Sequence, residues 1–505
     1  MTDDDPGTAA DANATGESGT AVRRDRFSGG PAREFLSSLA ADAAIFEADL
    51  AVDRAHTVML AEQGIVDDTV AGEILTSLDD VEAAGHDALP DGEDVHEAIE
   101  TAVIDRIGSD GGRMHTARSR NDEVATCIRY QLREDLLDAV EATVALREQL
   151  LETASQHTET VMPGYTHLQP AQPTTVAHWL CSYEQAIARD TERLLDTYKR
   201  VNRSPLGAAA FAGTTFDIDR ERTAELLGFG SVVENSMDAS SARDFLLEAV
   251  TALATHATTL SGLAEDVIVF ANRGFVELSD DYASTSSIMP QKKNPDTLEL
   301  VRATAGEAAA GVNGLLTTLK GLPRAYNRDL QSATPYAWET VDAVLDATDV
   351  VGGAVATAEW PEDALADAAG EGFSTATGVA DLLAASGLPF RTAHEVVAVA
   401  AEKIEARRAS RSSGTDLDAV DAAAREVLDD PLSEYVDPEA VKAALDPVES
   451  VASRDSMGGP AATAVTAYLD EADGRVDADH AALADRRNRL ETARDQLDAE
   501  VSGYV

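Results

Sequence analysis

The sequence predicts an all-α protein of three domains built about a central bundle of long helices. Three observations carry this. Residues 119–157 contain neither Pro nor Gly, and Val124, Ile128, Leu132, Leu136, Val140, Val144 and Leu151 recur there at helical spacing. Similar long patterns follow at about 174–201, 240–272, 295–319 and 336–358, each set off by a Pro- or Gly-containing connection. A chain of 505 residues, 44% apolar, also exceeds what one ordinary core serves.

In chain order, residues 1–22 are acidic and rich in Gly, Ala and Thr, which predicts a disordered tail. Residues 23–117 carry shorter helical patterns, broken by Gly64, Gly85 and the Pro90-Asp91-Gly92 turn; they form the expected first domain. Residues 118–366 hold the long patterns, whose wide apolar faces must be buried against one another. Residues 367–505 return to short helices broken at Pro389, Pro431, Pro438 and Pro447. Within them, 407–415 reads as an exposed Ser/Arg loop and 477–502 as a polar terminal helix with little core.

Acidic residues outnumber basic ones 91 to 40, a net charge of −51. Charge of that size repels itself in dilute buffer, whereas at molar salt the Debye length falls to about 3 Å. The charge is spread over helices that also carry apolar stripes rather than concentrated in a tail or block, which favours a halophile's cytoplasmic protein over an acidic interaction protein or a nucleic-acid mimic. No basic face is offered to nucleic acid. The first 20 residues lack the basic start and apolar stretch of a signal peptide, and no apolar run approaches the ~20 residues of a membrane span. Cys127 and Cys181 fall within predicted helices without metal-ligand or disulfide spacing, so they read as small buried residues.

The chain has only six lysines, and two of them lie in residues 284–295, Ser-Thr-Ser-Ser-Ile-Met-Pro-Gln-Lys-Lys-Asn-Pro. Serine offers a proton acceptor and lysine a compact charge, a combination suited to removing a proton and holding the resulting anion. Asn294 is a favourable N-cap, Pro295 suits the first helical position and Asp296 the first turn. A polar loop ending at a helix start has the same composition, so this segment alone does not decide. Residues 164–173 read Gly-Tyr-Thr-His-Leu-Gln-Pro-Ala-Gln-Pro, and residues 115–122 read His-Thr-Ala-Arg-Ser-Arg-Asn-Asp.

Together the three segments resemble the motif regions of the argininosuccinate lyase family, within the fumarase/aspartase superfamily. The resemblance runs from about Arg24 through Gly458-Gly459 and beyond. It implies a fumarase/aspartase-like fold, a homotetramer with sites shared between subunits, and β-elimination of argininosuccinate to arginine and fumarate without metal or cofactor. Residue by residue it assigns Ser286 as the base, Lys292 as the anion-stabilising cation, and His167, paired with Glu299, as the general acid. It assigns substrate contacts to Thr166, Asn294, Asn121, Arg120, Ser38, Tyr326 and Gln331. Arg243 and Asp244 resemble a further family element. An adenylosuccinate lyase-type enzyme and a non-enzymatic, crystallin-like member are the alternatives. Two departures stand out. Thr285 replaces the family's usual Gly, and because a β-branched residue does not readily take φ > 0, a stiffer or differently shaped loop is expected. Thr334 replaces a lysine that in many members contacts substrate.

Overall fold

The computed structural model describes residues 31–505; the expected tail, 1–22, lies outside them. Five long helices form the largest core: Arg120–Gln156, Val176–Val201, Asp244–Arg273, Asp296–Leu319 and Thr334–Ala356. The first begins where its sequence dictates. Ser119 accepts from the Asn121 amide and closes a capping box with Asp122. The pattern at 240–272 proves to be two helices, Ser236–Ser241 and Asp244–Arg273, parted where Ala242 turns extended (ψ 129°).

A second core joins Phe46–Glu62, Asp68–Ala84 and Val95–Ile107 through Leu50, Ile74, Leu78, Ile99 and Val103. A third, smaller core gathers Phe373, Val379, Val396, Val420 and Val441 from the short helices between residues 371 and 445. Helix Phe390–Ser410 extends into the expected 407–415 loop, which therefore begins only at Arg411, in the left-handed region (φ 53°).

The terminal helix corrects its expectation. It runs Ala462–Tyr504 and buries Val476, Leu483, Leu490 and Leu497 at seven-residue intervals. Val476, Leu483 and Leu490 enter the central core, and Leu497 and Val501 the N-terminal one. Its charged faces hid this narrow seam. Its end seats against Gly72, where a Cβ would collide with the Tyr504 carbonyl.

The sequence predicts an almost entirely helical chain, and beside the helices two short antiparallel hairpins occur among the described residues. Val161–Thr166 pairs with Gln169–Thr175, and Ser284–Thr285 with Lys293–Asn294. The first hairpin is anchored at its base, where Val161 packs against Ala369 and Val451. Among the described residues no helix is long and apolar enough to cross a membrane.

Candidate active site

Five of the expected substrate contacts converge. Ser38, Arg120, Asn121, Tyr326 and Gln331 line one cavity of about 270 Å³, where the N-terminal core meets the helix Arg120–Gln156. Local capping chemistry positions them. Asp122, buried beneath the cap, accepts from the amides of Gly207 (2.9 Å) and Ala209 (2.8 Å), and Asn121 Nδ2 donates to the Ala210 carbonyl (3.2 Å). The loop after Val201 is thereby tied to the helix start. Ser38 Oγ donates to Asp42 Oδ2 (2.7 Å), and Gln331 Nε2 to the Leu36 carbonyl (3.2 Å).

The same cavity holds groups the sequence reading did not assign: Asp42, Glu93, Asp94, His96 and Arg328, with Arg243, which had been noted without a role. They are scattered along the chain and form no motif; only folding gathers them. Arg120 lies 3.4 Å from both Asp94 and Glu97, and Arg328 Nη2 pairs with Glu93 (2.5 Å). Burial pushes Asp42 above its ordinary value despite nearby His96, and lowers Arg243 to about 10. Carboxylates and guanidinium groups in one cleft suit a ligand bearing both charges. Thr334 borders the cavity, and its hydroxyl donates to the Gln331 carbonyl (3.3 Å).

The other six residues lie elsewhere: Thr166, His167, Ser286, Lys292, Asn294 and Glu299 do not line this cavity. Thr166 and His167 sit exposed at the tip of the first hairpin, whose two-residue turn places His167 and Leu168 at φ 57°. That left-handed turn matches strand twist but strains residues other than Gly, Asn or Asp. His167 and Glu299 are both exposed, and neither has an ion-pair partner among the described residues; they do not meet within one chain.

The Ser/Lys loop is the second hairpin. Half-buried Ser286 Oγ accepts from the amides of Met289 (3.1 Å) and Ile288 (3.4 Å). Lys292 Nζ donates to Asn294 Oδ1 (2.6 Å), and Lys293 pairs with Asp280 (2.7 Å). The N-cap expected at Asn294 is corrected. The helix starts at Asp296 with Pro295 as its cap, because Asn294 is held extended against Ser284 and its side chain serves Lys292. Thr285 is likewise strand-paired, to Lys293, and has no positive φ, so the strain that φ > 0 would impose on a β-branched residue is absent there.

Behind the cavity lies a buried ionic cluster. Arg118 Nη2 reaches Asp53 (2.5 Å) and Glu123 (3.0 Å), while His96 Nδ1 reaches Asp49 (2.8 Å). Cys127 Sγ donates to Asp49 (3.3 Å). Asp49, Asp53 and Glu123 approach closely enough to share a cation, and Arg118 supplies it. Nearby His56 is fully buried with Nε2 2.8 Å from the Thr116 carbonyl, which can only accept, so Nε2 carries the proton. Burial, with Arg118 adding to it, lowers this histidine from 6.5 to about 3. Below pH 6.5 the unfolded chain therefore takes up a proton that the folded chain refuses until about pH 3. Wild-type stability should fall with pH across that window by about 1.4 kcal/mol per unit more steeply than that of His56→Gln. Denaturant titrations in molar KCl measure the difference; equal slopes contradict it.

Comparison with known proteins places this geometry. Residues 32–309 match the lyase family model, and residues 373–452 the model of the argininosuccinate lyase C-terminal region. The argininosuccinate lyase of Natronomonas pharaonis is 70% identical over 483 residues, covering 96% of each chain. The chain belongs to the argininosuccinate lyase family. A second lyase of this family, from Haloarcula marismortui, is 65% identical, covering 98% of each chain. Among solved structures, EDDS lyase in complex with formate superimposes with a TM-score of 0.83 at 33% identity, covering 94% of this chain and 96% of its own. A fumarate lyase from Mesorhizobium, at 20% identity and TM-score 0.67, shares the fold. The C-terminal family model falls on the third core, and the fumarase/aspartase-like all-α architecture is that of the family.

Proposed function

We propose that this chain is an argininosuccinate lyase, eliminating fumarate from argininosuccinate to leave arginine. The full-length identity to relatives of that name carries the reading. The mixed-charge cavity supports it, since argininosuccinate presents a zwitterionic arginine end and further carboxylates.

Ser286 removes the proton from the carbon beside a carboxylate. Its activation is the demanding step, because a serine hydroxyl is a weak base. Two amide donors already point at its oxygen, and hydrogen bonds to an anion favour the alkoxide. Lys292 holds the charge that develops on the substrate carboxylate. His167, oriented by Glu299, protonates the departing nitrogen. Thr166 and Asn294 bind the fumarate half. Ser38, Arg120, Asn121, Tyr326 and Gln331 bind the remainder in the cavity.

A homotetramer completes the site, the hairpin tip and the Ser/Lys loop coming from other subunits. Leu300 and Leu316, 71% and 50% exposed on helix Asp296–Leu319, supply apolar surface for such packing. Two unpaired cysteines and the acidic surface accord with a reducing, salt-rich cytoplasm. Release of fumarate, followed by its absorbance in molar KCl, tests the function. It also separates an enzyme from a catalytically silent member of the family.

Salt should control both assembly and rate. With −51 charges per subunit, lowering KCl to about 20 mM should dissociate the tetramer and abolish activity, since screening then fades over tens of ångströms. Sedimentation and assay at both salts measure this; an intact, active tetramer in dilute buffer contradicts it.

A further inference from the structure

We propose that Trp338 and Val124 form an apolar wall on which the methylene chain of the arginine half lies, and that this contact sets the chain length the cavity accepts. The proposal deepens the lyase reading and rests on it.

Helix geometry places the wall. Arg120, Asn121 and Val124 occupy the first turns of helix Arg120–Gln156, and all three line the cavity. Thr334 and Trp338 line it from the start of helix Thr334–Ala356. Residues three or four apart share a helix face. Each helix therefore begins with a polar side chain on the cavity and becomes apolar about one turn, roughly 5.4 Å, further along.

Both wall residues have surface to offer. Ile45, Ile128 and Leu330 also border the cavity but are almost fully buried. Val124 and Trp338 are only half-buried. Each packs on the central and the N-terminal core and borders the cavity as well. Trp338 is the largest apolar side chain of the lining.

Ligand chemistry selects what the wall receives. Argininosuccinate is charged at the amino-acid end of its arginine half, at its guanidinium group and at its other carboxylates. Only the methylenes between the first two are apolar enough to gain by leaving water against such a wall. The length also fits: four bonds of about 1.5 Å in zigzag span roughly 5 Å, close to one helical turn. Ser38, Asp94, Tyr326 and Gln331 line other parts of the cavity and are left to the charged ends. An indole face also attracts a guanidinium group, so the test must separate the two contacts.

The test measures inhibition of argininosuccinate cleavage by the full-length enzyme in molar KCl. Trp338→Ala should weaken arginine about tenfold, the loss of apolar cover from one or two methylenes. Fumarate, which has no such chain, should inhibit as before. Citrulline keeps the chain without the guanidinium charge and should weaken by the same factor as arginine. Homoarginine, one methylene longer, should bind wild type less well than arginine, and Trp338→Ala should narrow that gap. Emission supplies a second readout. Trp179 and Trp360 stack on each other, ring centroids 5.5 Å apart, and do not line the cavity. A change in tryptophan emission on adding arginine should therefore vanish in Trp338→Phe, which also decides should Trp338→Ala fail to fold. A loss for arginine but not for citrulline would mean guanidinium stacking and overturn the proposal. So would equal losses for arginine and fumarate, no loss for either, or an emission change that survives Trp338→Phe. If wild type does not cleave argininosuccinate, the lyase reading itself fails; if it does, unexpected variants count against Trp338 alone.

Discussion

Replacing Ser286 with alanine should lower kcat by about a thousandfold while leaving KM within a few-fold of wild type. In the proposed mechanism the variant loses the oxygen assigned to take the substrate proton, and it alters none of the residues that line the cavity. The Ser286 hydroxyl also accepts amides of its own hairpin, so a purely structural loss must be separated from a chemical one. Ser286→Cys serves that purpose, because it keeps a group able to accept from the Ile288 and Met289 amides while changing the base. Both variants should assemble normally in molar KCl. Single-turnover kinetics should show argininosuccinate bound but not cleaved by Ser286→Ala. Near-normal turnover in the alanine variant would remove Ser286 from the mechanism.

Much of this was legible because long helices announce themselves. A stretch of 37 helical residues without Pro or Gly leaves its apolar stripe in plain view, and the Ser119/Asp122 capping box marks its start. The terminal helix was misjudged for a physical reason. A seam of nine buried residues in a helix of 43 is diluted by the charged faces around it, and in so acidic a chain those faces dominate any average. The Ser/Lys loop was recognised by residue type, but its conformation was not. Asn294 has the chemistry of an N-cap, and a two-residue ladder with Ser284–Thr285 claimed its backbone first. The buried set of Asp49, Asp53, His96, Arg118 and Glu123 had no sequence signature, since its members come from three segments and meet only after folding. Spacing along one chain also says nothing about which subunit completes a site.

That last question is answered by mixing two inactive variants of the proposed tetramer. His167→Asn and Ser286→Ala should each be inactive alone. The cavity residues lie together in one chain, while the hairpin tip and the Ser/Lys loop project from it, and His167 and Glu299 do not meet there. Suppose one site draws the His167 hairpin from one subunit and the Ser286 loop from another. In a randomly assembled mixture of equal parts, each segment is intact in half of the positions. Two independent segments are then intact together in about a quarter of the sites. Dissociating both variants in dilute buffer, mixing them and reassembling in molar KCl should therefore recover activity approaching a quarter of wild type. If both residues served a site from the same chain, every subunit in the mixture would carry one defect or the other, and no site could be whole. Hybrid tetramers confirmed by mass but devoid of activity would establish that arrangement and overturn the shared site.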